Sequence, residues 1–151
     1  MTKKISDAIV QTKFRSEYHK ASLALAYASS QLETLHQDFL KKFGLSLQQF
    51  NVLRILRGQQ PNVCNLILIK ERMIDKSSDV SRLVEKLRIS GYVDRCLNEN
   101  NRRNVDVKIS KNGLKLLAKI DNEMDVLEEP MHQLNLKEAK QLTQLLEKLI
   151  K

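Results

Sequence analysis

Apolar positions from residue 5 to about residue 42 recur in alternating steps of four and three: Phe14, Tyr18, Ala21, Leu25, Ala28, Leu32, Leu35 and Phe39. No Gly or Pro falls between Met1 and Phe43, so the spacing predicts one long helix with a heptad seam. That seam can pack on the chain's own core or meet a partner chain, and a compact small domain covers a helix of this length with difficulty. Gly44 ends the pattern. Ser46 is a suitable N-cap for a second helix to about Arg57, with Leu47, Phe50, Val52, Leu53, Ile55 and Leu56 as its apolar face. Gly58 and Pro61 stop it. Asn65 to about Met73 reads as a third helix with Leu66, Ile69 and Met73 inward, and Asp75 to Ser77 as the turn into a fourth. There Val80, Leu83, Val84 and Leu87 supply one apolar face, leaving Ser77, Ser78, Asp79, Ser81, Arg82, Lys86 and Arg88 for other surfaces.

After Gly91 the period changes. Tyr92 to Leu97 and Val105 to Ile109 read as two short strands, joined by the turn-forming loop Asn98, Glu99, Asn100, Asn101, Arg102, Arg103 and Asn104. Ser110 then caps a fifth helix through Leu114, Leu117, Ile120, Met124 and Leu127, which Pro130 limits or kinks. A last amphipathic helix runs from about Lys137 to the end. The expected fold class is mostly α with a small antiparallel β-hairpin (α+β): short helices across tight polar turns, then a hairpin with a cationic tip, as in a winged helix-turn-helix. One domain is expected, with residues 45–113 as the helix-turn-helix lobe and helices at 5–43 and 114–151 as a dimerisation region.

Composition sharpens this only in part. The chain has 151 residues and a formal charge of +8, which favours a polyanionic partner such as double-stranded DNA. Distribution says more than the total: Lys and Arg outnumber Asp and Glu eleven to seven over residues 70–111, but are outnumbered seven to four over 121–151. Two cysteines, Cys64 and Cys96, make no disulfide framework, no N-terminal signal pattern is visible, and no stretch approaches a membrane span. A cytoplasmic protein is expected, with no membrane partner. His19, His36 and His132 lack ligand spacing, and neither a phosphate-binding glycine loop nor a catalytic Cys/His set is present, so no metal, no cofactor and no enzyme activity are expected. A helical protein-interaction module, with the charge serving only solubility, is the alternative from another class.

The ordered combination of Leu45, Ser46, Gln49, Phe50, Val52 and Leu53, then Ser78 to Leu87, then Gly91, Tyr92, Val93 and Arg95, then Asn101, Arg102, Arg103, Val105, Val107, Ile109, Ser110 and Gly113 resembles the MarR family of bacterial winged-helix regulators. The resemblance covers nearly the whole chain. It implies a homodimer, a repressor or modulator of transcription, whose recognition helices enter successive major grooves of a pseudo-palindromic site. It also implies a small aromatic or phenolic effector bound between the dimerisation helices and the DNA-binding lobe. One departure stands out: Asn101 occupies the place of the family's usual wing Asp, so an ion pair bracing the wing, for instance with Arg95, gives way to neutral hydrogen bonds, and a more mobile wing is expected.

The candidate DNA contacts are Lys76, Ser77, Ser78, Ser81, Arg82, Lys86, Arg102 and Arg103. Arg82 suits a bidentate contact to guanine or phosphate, and the two wing arginines suit the phosphate backbone or the minor groove. Ser77 or Ser78 is equally suited to cap the fourth helix. Tyr18, His19, Tyr27 and His36 are candidate effector-pocket residues. Relatives that sense oxidants carry a cysteine near the start of the first long helix, where this chain has none, so Cys64 and Cys96 read as buried or inert thiols.

Overall fold

The computed structural model describes residues 3–151. Its elements are α1 (Ile5–Ala8), α2 (Glu17–Lys41), α3 (Leu47–Gln59), β1 (Cys64–Asn65), α4 (Leu66–Arg72), α5 (Val80–Ile89), β2 (Val93–Leu97), β3 (Val105–Ile109), α6 (Lys111–Asp121), α7 (Asp125–Glu128), a 3-10 turn (Met131–Gln133) and α8 (Leu136–Glu147). The mostly helical architecture with a hairpin wing is that of the winged helix-turn-helix.

The expected continuous first helix is divided. Ser16 is extended and its Oγ accepts from the His19 backbone N–H, so α2 begins at a genuine N-cap inside the apparently unbroken seam. Val10, with φ +52°, turns the chain between α1 and α2. A heptad count records apolar spacing and cannot register this cap. The fifth helix is likewise shorter than its apolar pattern, ending at Asp121 before a turn and the one-turn α7. The hairpin gains a third strand: β1, only two residues long, pairs antiparallel with β3 through Cys64↔Val107, giving the order β1-β3-β2. Two residues are too few to display a period in sequence.

The core lies under the lobe. Val52, Leu53 and Leu56 of α3, Ile69 of α4, Val84 and Leu87 of α5, Val93 and Val107 of the sheet and Leu117 and Ile120 of α6 are fully or almost fully buried. Gly91, at φ +78°, carries the chain from α5 into β2 in a conformation open to glycine at little cost. Gly113 serves a different end: a Cβ there would collide with the Tyr92 carbonyl oxygen and stand 2.7 Å from Ile109 Cγ1, so α6 can lie on the sheet only because this residue has no side chain. Gly113→Ala is expected to cost about 1–3 kcal/mol through overpacking, lowering Tm by roughly 2–4 °C per kcal/mol, as read by thermal unfolding. An unchanged Tm would mean that α6 can shift freely on the sheet.

Toward the two ends of the chain burial thins. Of the 25 residues of α2 only Phe39 and Leu40 are buried. α8 buries none, although Leu136 and Leu145 are apolar and, with Leu149 and Ile150 just beyond it, are exposed.

Candidate nucleic-acid interface

The lobe's charged surface is assembled at the junction of α4, α5 and the hairpin. Asp79, not Ser77 or Ser78, caps α5: its Oδ1 accepts from the Arg82 backbone N–H at 3.1 Å. The serines are assigned elsewhere. The Ser77 backbone N–H and Oγ both donate to Asp75 Oδ1, at 2.9 and 2.6 Å, and this hydrogen bonding, the hydroxyl foremost, holds the Asp75 carboxyl below its ordinary range. Ser78 is 7 % exposed, and its Oγ has no hydrogen-bond partner among the described residues. Its carbonyl oxygen accepts from Lys70 Nζ at 3.3 Å. Lys76 reaches back to the Glu71 carbonyl, which takes its ammonium away from the helix tip.

Ser81, Arg82 and Lys86 are exposed on α5, and no ion pair engages Arg82 or Lys86 among the described residues. At about 100° per residue, Arg82, Glu85 and Ile89 project within a sector about 60° wide on the side opposite Val80, Val84 and Leu87. Glu85 and Ile89, the latter 72 % exposed, are thus on the outward face together with Arg82. Sequence reasoning overlooked both because it chose polar and cationic types rather than projecting every position.

At the hairpin tip Asn98 Oδ1 accepts from the backbone N–H groups of Asn100 and Asn101, and Asn101 Oδ1 accepts from that of Arg103 at 3.1 Å. Asn101 therefore braces the wing by a neutral side-chain-to-backbone bond. Arg95 turns the other way, with Nη1 3.7 Å from Glu85 Oε2 on the recognition helix. Arg102 and Arg103 are exposed and in no ion pair among the described residues.

A cavity of about 780 Å³ lies between α2, α3 and the turn before α5. Leu32 and His36 come from α2, Phe50, Asn51 and Arg54 from α3, Arg72 from the end of α4 and Met73 to Asp75 from the turn. His36 Nδ1 lies 2.7 Å from the Leu32 carbonyl, so Nδ1 carries a proton and, in the neutral ring, Nε2 is the acceptor. Asn51 Oδ1 accepts from the Ile74 backbone N–H at 3.0 Å, making one wall continuous with the helix-turn-helix backbone. Of the four residues that the sequence suggests for an effector pocket, His36 lines this cavity and Tyr18, His19 and Tyr27 do not. Tyr18 is 88 % exposed, and His19 Nδ1 instead accepts from the Arg15 N–H. Arg54 and Arg72 are the polar wall residues that sequence reasoning missed, since only the fold brings α3 and the end of α4 to one space.

Burial pushes the Cys64 thiol up, the effect of nearby Arg72 being smaller. Among the described residues no three His, Cys, Asp or Glu side chains come together as metal ligands would, and no helix is long and apolar enough to cross a membrane.

No protein-family model matches the chain, and no curated protein does. Solved structures do. A MarR transcription factor from Planctomyces limnophilus is 30% identical, with 89% of this chain and 98% of that chain covered and a TM-score of 0.70. A cysteine-to-serine variant of E. coli MarR complexed with operator DNA is 21% identical, with 93% and 100% covered and a TM-score of 0.78. BpsR of Bordetella bronchiseptica, whose DNA binding is regulated by 6-hydroxynicotinic acid, is 25% identical, with 87% and 99% covered and a TM-score of 0.69. These neighbours are transcription regulators, not enzymes.

Proposed function

We propose, since the chain belongs to the MarR family of winged-helix transcription regulators, that it controls transcription by binding a pseudo-palindromic operator in double-stranded DNA as a homodimer. One observation carries this: a recognition helix whose exposed Arg82 and Lys86 are in no ion pair among the described residues stands beside a hairpin whose tip offers Arg102 and Arg103 in the same condition. Such a helix can enter the major groove while the wing follows the backbone or the adjacent minor groove. Ser77 and Ser81 lie at the helix entrance as further contacts. Lys76 and Ser78 have internal partners or burial to give up first, which makes them secondary.

The dimer is supported by the uncovered apolar residues of α2 and α8, so residues 5–43 and 114–151 are read as the dimerisation region and 45–113 as the DNA-binding lobe. Two lobes related by a two-fold axis would meet half-sites roughly 10 bp apart. A small aromatic effector fits the cavity beneath α2: Leu32, Phe50 and Met73 offer apolar walls, and Arg54, Arg72 and His36 Nε2 offer polar partners. Its other wall is the turn that delivers α5, so occupancy would act on the recognition helix, and we read the protein as a repressor released from DNA by its effector. We assign it no reaction and read it as a cytoplasmic bacterial protein.

Titrating wild-type protein onto AT-rich promoter fragments at two salt concentrations tests the reading. Binding should weaken about 10³–10⁵-fold between roughly 50 and 200 mM salt if 6–10 phosphates are contacted. An interaction module would give neither tight binding nor that slope.

A further inference from the structure

The outward face of α5 carries one carboxylate, Glu85, and two arginines are directed at it. Arg88 donates through Nε to Oε2 at 3.0 Å and through Nη2 to Oε1 at 2.8 Å, two parallel bonds of the kind a guanidinium makes equally well to phosphate. Arg95 approaches from β2, with Nη1 3.7 Å from Oε2. Beside them a cleft of about 430 Å³ opens between the end of α5 and the first wing strand, lined by Arg88, Gly91, Val93, Asp94 and Arg95.

We propose that Arg88 and Arg95 form a second phosphate-binding site between recognition helix and wing, and that Glu85 fills it as an internal substitute for phosphate until DNA arrives. The inference rests on the DNA-binding reading above and adds to it a residue that sets affinity. The triad is not required to hold the fold. The three side chains remain 38–48 % exposed, where an ion pair contributes little stability, and the helix is already joined to the sheet by buried Val84, Leu87 and Val93. Asp94, the other carboxylate at the cleft, stands opposite Lys108 in the strand register, which offsets its charge. Arg88 lies at the end of the recognition helix and Arg95 in the first wing strand, so the cleft that they line joins the two elements that carry Arg82 and lead to Arg103. Hydrogen bonding by Arg88 keeps the Glu85 carboxyl below its usual range, so the substitute is charged and competes with phosphate at any pH near neutrality.

Glu85→Gln removes the competing charge while keeping the side chain's size. We expect it to bind operator DNA roughly 3- to 10-fold more tightly at about 0.1 M salt and to steepen the slope of log K against log salt by about 0.9 for each arginine released. Adding Arg88→Ala to that variant should take the gain away. Thermal unfolding of both variants checks that the fold persists. Glu85→Gln with equal or weaker binding and an unaltered slope overturns the proposal, because Glu85 would then be a support for the arginines rather than their competitor. Wild-type protein without salt-dependent DNA binding overturns the DNA reading itself, and this inference with it. Wild type that binds beside a Glu85→Gln variant that behaves identically overturns this inference alone.

Discussion

Aspartate at both Leu145 and Leu149 is expected to leave a folded monomer that binds operator DNA roughly 10²–10⁴-fold more weakly than wild type. Both side chains are exposed in the single chain, at 51 and 66 %, so the lobe's core does not depend on them and thermal unfolding of the lobe should change little. What they offer is an uncovered apolar surface on which the proposed dimer would close. Two charges placed in such an interface would each face desolvation without a partner, which an association of moderate size cannot offset. The DNA consequence follows from linkage: the second recognition helix binds at an effective concentration set by the dimer, and a monomer forgoes that advantage while its grip on its own half-site stays intact. Sedimentation velocity reports the oligomeric state and fluorescence anisotropy the affinity. A variant that remains dimeric would remove α8 from the interface and leave α2 to form it.

The second large effect separates reading from anchoring. Arg82→Ala should weaken operator binding by about 1–3 kcal/mol per half-site, roughly 5- to 150-fold, and reduce discrimination against altered base pairs if Arg82 meets a base edge. The pair Arg102→Ala and Arg103→Ala should instead weaken operator and random DNA alike and flatten the salt slope by about 0.9 for each phosphate no longer neutralised. The contrast is physically grounded. Arg82 projects from the capped first turn of a helix packed by Val84 and Leu87 and so has a fixed origin, whereas the wing arginines ride on a loop held by Asn98 and Asn101 side-chain bonds. Equal weakening on operator and random sequence for Arg82→Ala would reduce that residue to a phosphate anchor.

The lobe was legible in the sequence because its signals are local. Ser46 caps α3 as expected, with a reciprocal bond from the Ser46 N–H to the Gln49 side chain, and alternation marks β2 and β3 because each strand is long enough to show it. What escaped was decided by geometry beyond the window. Asp79 rather than a neighbouring serine caps α5, since Asp75 had already claimed Ser77. Ser16 interrupts the first helix although the apolar spacing continues across it. The cavity has walls from α2, α3 and a turn much further along the chain, and no periodicity reports which side chains such distant segments share. Glu85 was hidden for a simpler reason: an acid on the recognition helix contradicts the expectation that neutral polar and cationic side chains make the contacts there.

The wing loop and the outward stripe of α5 share a property with implications for how such a protein diversifies. Arg82, Lys86, Ile89, Arg102 and Arg103 all lie outside the buried core. Substitutions at these positions leave the packing that folds the lobe untouched, so under the proposed contacts operator preference can drift while stability is held constant. A lineage bearing this scaffold can acquire a new target promoter through a handful of neutral-to-fold steps, with the core constrained by packing and the reading surface constrained only by its DNA.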